Sequence, residues 1–326
     1  MPLARIRHLS LAALLLAWPM APAFGYEINE QFSVDAELFA YWSQTETDQN
    51  GGFKTGRTHL GAEASQEAWR LRILLELDPN NNGGADDGKV RLREGYAQMT
   101  MAGTQALRFG VQPNAMVAVD EARLWGLRQV APTFVEFWGL TPAADSGLSL
   151  LGANNAGEGG LLDYEFSISN GEGYDQPVNG EGNAFSARIG LHDGPWEIGG
   201  FVYTETDNQD PALAKDPERY LYYAAYDGPA LRFSGQYLTG DDGDNGSTFN
   251  DVTGHNIQGT LKLESLTLFA RQDRIRPIDG GTKQSLVIYG LAMDLSPNVR
   301  LTGHYQLRDF GPNDEASVAI TTRVTL

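Results

Sequence analysis

Alternation with a period of two, sustained over ten residues and more, limits what this chain can fold into more than any other feature. Phe32, Val34, Ala36, Leu38, Ala40 and Trp42 alternate with Ser33, Asp35, Glu37, Phe39 and Tyr41. Successive side chains fall on opposite faces only in extended backbone, so the run reads as one strand with an apolar face. Strands of soluble domains are usually about 5–6 residues long. A tilted strand that crosses a bilayer needs about 9–11. The pattern returns at once: Trp69, Leu71, Ile73, Leu75 and Leu77 share one face, and Arg70, Arg72 and Glu76 the other.

Carried along the chain, this reading predicts strands over 32–42, 54–64, 69–77, 89–101, 106–112, 147–152, 160–170, 183–191, 195–206, 219–226, 230–239, 254–263, 266–275, 285–295, 299–310 and 315–326. Tight turns such as His192-Asp193-Gly194 and Glu264-Ser265 alternate with long polar connections such as 79–88 and 240–253. Short turns at one end and long loops at the other, with an even strand number, mark an all-β transmembrane antiparallel β-barrel of about 16 strands. The last strand alternates to Leu326, so it is expected to close the barrel, because an open edge cannot sit in lipid. Trp69 and Trp196 start strands just after short turns, at matching depth, as an interfacial aromatic girdle requires. A soluble sandwich or propeller explains neither the strand length nor the asymmetry of the loops.

Residues 1–25 combine Arg5 and Arg7 with the apolar run 9–18 and a small-residue stretch around Ala21-Pro22-Ala23. This is the pattern of a cleaved secretory signal peptide, which leaves 26–326 as the barrel and implies export to the outer membrane of a Gram-negative cell. No later run reaches the ~18 apolar residues of a helical span. The mean hydropathy of −0.33 suits a barrel, in which only alternate residues meet lipid. The chain has no Cys, so thiolate metal sites and Cys nucleophiles are excluded. The net charge of −18 argues against nucleic acid as a partner. No residue pattern calls for a cofactor or a metal.

The longest stretch without a strand signal is 113–146. It is too apolar for a disordered loop, with Leu124, Trp125, Phe134, Phe137 and Trp138, yet it carries Asp120, Glu121, Arg123, Arg128 and Glu136. Such a segment needs a wall to pack on and water to face. As the third long outer loop, it is expected to fold into the lumen as a constriction, its aromatic residues pinning it to the wall. On the lumen side of the early strands stand Arg57, Arg70, Arg72, Arg91, Arg93 and Arg108. These would form a basic wall facing the loop acids Asp120, Glu121 and Glu136 across a narrow gap, an arrangement that sets pore selectivity. Glu94 breaks the alternation of its strand, since Val90, Leu92 and Tyr96 share its parity, and a β-bulge there would resolve the conflict.

Short motifs add a resemblance. V-R-L-R-E-G-Y-A-Q-M (90–99), L-R-F-G-V-Q-P (107–113), G-L-S-L-L-G (147–152) and L-D-Y-E-F-S-I-S-N-G-E-G (162–173) look like the phosphate-selective porin O/P family of Gram-negative outer membranes. That resemblance implies a sixteen-stranded homotrimer, a third loop inside the channel, and passive diffusion of ions and small hydrophilic solutes. It also maps an anion path onto Arg70, Arg72, Arg91, Arg93 and Arg108. The chain departs from the family in its few lysines and its acidic balance, which run against phosphate selectivity. Outer-membrane lipid and lipopolysaccharide would be its surroundings. The alternatives are an outer-membrane enzyme of lipase or protease type, for which no G-x-S-x-G nucleophile motif is present, and a non-conducting receptor barrel.

Overall fold

The computed structural model describes residues 26–29, 31–46, 51–78, 89–155, 160–174, 183–206, 217–241, 251–277, 283–310 and 314–326. The leader expected at 1–25 lies outside them. A short strand β1 (Tyr26–Asn29) precedes sixteen longer ones. They are β2 (Phe32–Thr45), β3 (Gly52–Gln66), β4 (Trp69–Asp78), β5 (Lys89–Thr100), β6 (Ala106–Pro113), β7 (Ala144–Asn155), β8 (Gly160–Ser169) and β9 (Asn183–Asp193). Then follow β10 (Trp196–Thr206), β11 (Glu218–Asp227), β12 (Leu231–Asp241), β13 (Asp251–Leu263), β14 (Leu266–Pro277), β15 (Gln284–Ser296), β16 (Val299–Asp309) and β17 (Asp314–Thr325).

From β2 onward each strand pairs antiparallel with the next, and β17 pairs with β2 from Thr325↔Glu37 to Ser317↔Thr45, which closes the ring. β1 takes up the same edge of β2 beyond that point, with Tyr26↔Val34 and Glu27↔Ser33. Sixteen strands and their order are as the alternation predicted. β1 was not foreseen, because four residues are too few to show a period. β7 starts at Ala144, earlier than the expected 147, since Pro113↔Ala144 and Gln112↔Asp145 extend the β6–β7 ladder.

The outer surface is apolar. Leu71, Ile73, Phe109, Ile168, Ile189, Ile198, Tyr222, Ile257 and Leu291 are all exposed. A soluble protein does not display a continuous belt of this kind; hydrocarbon is the solvent that fits it. Trp69 and Trp196 are exposed at the short-turn end. Trp196 packs edge-on against Tyr226 at 4.9 Å and Phe233 at 5.8 Å, a cluster at girdle depth.

The inner faces carry the polar residues, and one irregularity controls which ones. Leu74 pairs with Glu94 and Leu75 with Leu92, so Arg93 is an extra residue in β5. This is the bulge that the parity of Glu94 called for. It puts Arg91 and Arg93 on the inner face before the break and Glu94, Tyr96 and Gln98 after it. Beside it, Gly110 sits at φ +117, and a Cβ there would press on the Gly95 carbonyl oxygen. Only glycine meets both conditions comfortably. Gly110→Ala is expected to cost about 1–3 kcal/mol and to lower the temperature at which the folded, heat-modifiable band is lost on a gel. An unchanged transition would show that the β5–β6 contact can relax.

Candidate functional site

The segment 114–143 folds between the barrel walls, and its local sequence explains how. Asn114 caps α1 (Ala115–Val119), its side-chain oxygen accepting from the Met116 N–H at 3.0 Å. A single π-helical turn follows at Asp120–Leu124, and Gly126 at φ +66 ends the run, a left-handed stop for which glycine is suited. Pro132 and the capping Thr133 start α2 (Phe134–Phe137), which Gly139 at φ +66 closes.

The apolar side of this segment decides where it lies. Met116, Leu124 and Phe134 are fully buried in one cluster with Tyr203 of β10, Leu221 of β11 and Leu238 of β12. Trp125 packs with Phe269, Leu286 and Ile288 of β14 and β15. Each large apolar side chain removed from water contributes about 1.5–3 kcal/mol. The aromatic residues thus pin the segment to the wall.

A buried polar knot lies within the apolar contact. Asp120 is 0% exposed. Its Oδ1 accepts from Gln258 Nε2 at 3.0 Å, and its Oδ2 from Gln236 Nε2 at 3.0 Å and the Phe134 N–H at 3.2 Å. Burial pushes its carboxyl above the ordinary range, and Arg271 with these donors only partly offsets that. Arg271 Nη2 pairs with Asp273 at 2.7 Å, and its Nη1 donates to the Pro132 carbonyl at 2.5 Å. Trp138 Nε1 donates to Asp273 at 3.0 Å. Asp120 therefore differs from the sequence reading, which placed it among acids facing the lumen. The π turn carries it to the wall side, where two glutamines and a backbone N–H converge.

Glu121 and Glu136 do turn the other way. Glu136 receives both terminal nitrogens of Arg128, each at 2.6 Å, and Arg57 Nη1 at 3.5 Å. Glu121 pairs with Arg93 Nη2 at 2.8 Å and also with Arg128. Arg57 and Arg93 lie 3.7 and 3.8 Å from Glu76. That buried carboxylate also accepts from the Tyr174 hydroxyl at 2.8 Å and has His59 Nε2 at 3.1 Å. Burial and Glu76 push the Tyr174 hydroxyl up to about 12. The loop acids and the β3–β5 wall are thus in contact, where the sequence reading had them facing each other across a gap.

The six arginines of the expected basic wall differ in what water can reach. The side chains of Arg57 and Arg70 are 38% and 44% exposed, against 4% for Arg93. Arg70 pairs with Glu63 at 2.7 Å. Arg72 is bound by Asp35. Arg91 stands opposite Glu76 in the β4–β5 register. Arg108 lies over the Tyr96 ring at 4.8 Å and 3.5 Å from Glu165.

A second anchor was not foreseen. Arg123 reaches Glu197 at 3.3 Å and Asp163 at 3.4 Å, beside Arg188 and His192. Asp163, His192 and Glu197 could by position converge on a cation, but two guanidinium groups already supply the positive charge there. Strand parity puts Arg188 and Glu197 on the inner face; which loop residue meets them has no sequence signal.

A pH prediction arises from Glu136. Burial raises its carboxyl, but Arg128, with Arg93 and Arg57 behind it, wins and holds it below the ordinary 4.5. An acid whose folded pKa is depressed contributes stability that is present above its unfolded pKa and is lost as pH falls through the folded value. The link from Glu136 to Arg128 and Arg57 should therefore be intact at neutral pH and fail only below 4.5. Protease accessibility of 114–143 should rise in that acid window. Glu136→Gln should give the accessible state at neutral pH, and a variant as protected as the parent at neutral pH would contradict the assignment.

No protein-family model matches the chain, and no curated protein matches its sequence. Solved structures do resemble it. OmpT, an outer membrane protein of Vibrio cholerae in trimer form, is 14% identical with a TM-score of 0.66, covering 90% of this chain and 99% of its own. OmpF of Salmonella typhi in complex with daunomycin is 15% identical with a TM-score of 0.66, covering 90% and 97%. An anion-selective porin from Comamonas acidovorans is 12% identical with a TM-score of 0.62, covering 90% and 99%. At such identities the likeness is one of fold: a closed sixteen-stranded antiparallel barrel.

Proposed function

We propose that the protein is an outer-membrane diffusion channel for ions and small hydrophilic solutes. Its bore is set by residues 114–143. Its charge preference comes from the Arg57, Arg70, Arg72, Arg91, Arg93 and Arg108 wall, working against Glu121 and Glu136. The observation that carries this reading is a segment anchored on the β10–β15 side whose charged edge meets Arg57 and Arg93 on the far wall. A barrel built only to display outer loops has no need of a charged segment that meets its inner wall. A homotrimer follows by analogy with the trimer form of the Vibrio cholerae protein.

Two other readings make different predictions. Hydrolysis needs a nucleophile beside its base. Among the described residues His59 is partnered by Glu37, Glu76 and Arg93, and His192 by Asp163, Glu197 and Arg123, with no hydroxyl on either ring. A non-conducting barrel is favoured by one feature, the complete burial of Glu76 and near-complete burial of Arg93 at the level of the loop. The diffusion reading takes the same feature as a narrow bore.

Planar-bilayer recording under a salt gradient separates the readings. Small conductance steps in threes with a definite reversal potential are expected, and silence from properly folded protein would leave the non-conducting reading. Replacing chloride by phosphate tests the finer proposal of phosphate selectivity. The same current ratio for either anion as in free solution would remove it.

A further inference from the structure

The outer belt is interrupted by a cluster of cations. On the lipid-facing side, at the long-loop end of β12–β16, a cavity of about 460 Å³ is lined by Tyr237, His255, Arg274, Arg276, Lys283 and Asp309, among others. Strand parity fixes this face as external. Asn256, Asp273, Ile275 and Leu286 between them are buried inward, while His255, Arg274, Arg276 and Lys283 are exposed. The register aligns Tyr237, His255, Arg274, Ser285 and Asp309 as one row across five strands. Every other arginine of the described strands lies on an inward position. Among the described residues, neither Arg274, Arg276 nor Lys283 has a carboxylate within salt-bridge distance.

Cations on the lipid face of a barrel are costly at mid-depth and cheap only near the interface. Below this row the outward positions turn apolar. Ile257, Tyr289, Leu291 and Leu307 are exposed there, and the next rows down are about 7 Å apart along the strands. A polar, positively charged cavity above an apolar strip matches a molecule with an anionic head and acyl tails. The head must carry charge that several donors can share. Phosphate does this best, since Arg binds its oxygens in a bidentate fork and Lys as a point charge.

We infer that Arg274, Arg276 and Lys283, with His255 and Tyr237 beside them, form a binding site for the phosphorylated headgroup of an outer-leaflet lipid, whose chains lie along Ile257, Tyr289 and Leu307. The site rests on the barrel's place in the membrane and not on whether its lumen conducts. Asp309 at one end of the row limits the anion to the Arg274–Lys283 side.

The test uses the folded full barrel in neutral detergent, titrated with diphosphorylated lipid A and, separately, with the same lipid after phosphate removal. Binding is read by the rise in heat-modification temperature. The parent should bind the phosphorylated lipid and prefer it clearly over the dephosphorylated one. Arg274→Gln with Arg276→Gln and Lys283→Gln should lose roughly 10–100-fold in affinity for the phosphorylated form, at about tenfold or less per cation. Inorganic phosphate at millimolar concentration should not compete; competition would mean a site for free phosphate, and the lipid assignment would fall. Equal binding of both lipids, or equal affinity of parent and variant, would also overturn it. Should the triple variant fold poorly, Arg276→Gln alone, at the strand end, gives the same comparison. Bilayer conductance of the variants is expected to be unchanged, so a failure here is distinguishable from a failure of the channel reading.

Discussion

Asp120→Ala is expected to raise single-channel conductance on the order of twofold and to make it noisy, with the barrel still folded. The substitution removes the acceptor for three converging donors, Gln236 Nε2, Gln258 Nε2 and the Phe134 N–H. Each buried donor left without a partner costs about 1–3 kcal/mol. Arg271, whose charge Asp120 helps to balance, loses part of its compensation as well. The ladder bonds of sixteen strands do not depend on this residue, so the loss falls on the 114–143 segment. Asp120→Asn is the sharper test. It is nearly isosteric, but it sets an NH₂ group against donors, so it should loosen the segment too. If both variants conduct like the parent, residues 114–143 do not set the bore, and the proposed function loses its main support.

The second large effect concerns charge preference. Arg57→Gln with Arg70→Glu lowers the charge of the wall by three units, at two arginines that water reaches. Arg93 and Arg108 are poor choices, because one is buried against Glu121 and Glu76 and the other is held by Tyr96, Gln98 and Glu165. A fixed charge in a low-dielectric channel acts strongly on nearby ions. The reversal potential in a salt gradient should move toward cation preference, with a severalfold change in the permeability ratio. The shift should shrink at high salt, where such fields are screened. A reversal potential that does not move would place Arg57 and Arg70 off the conduction path.

The barrel was legible because its signal is local and repeated. A period of two over ten residues gives a strand and its lipid face together. The alternation of tight and long connections orders the strands, and each antiparallel neighbour follows from the turn between them. Even the bulge at Arg93 left a mark, since Glu94 stands at an apolar parity. The content of 113–146 also called for a wall to pack on, because its aromatic residues could not be left in water, and Trp125 and Phe134 are buried against strand residues.

What the sequence could not hold was which residue meets which across the lumen. Asp120 and Glu121 are adjacent and chemically alike, yet one is sealed against Gln236 and Gln258 and the other pairs with Arg93. The π turn at Asp120–Leu124 sets that difference, and its partners lie more than a hundred residues away in the case of Asp120. The outward cluster of Arg274, Arg276 and Lys283 likewise comes from two neighbouring strand ends, of β14 and β15, brought level by register. Periodicity is a property of neighbours in the chain, so sequence alone determined the sixteen long strands, their faces and their order. Contacts across a closed ring depend on register and on where one loop settles, and only the tertiary structure decided those.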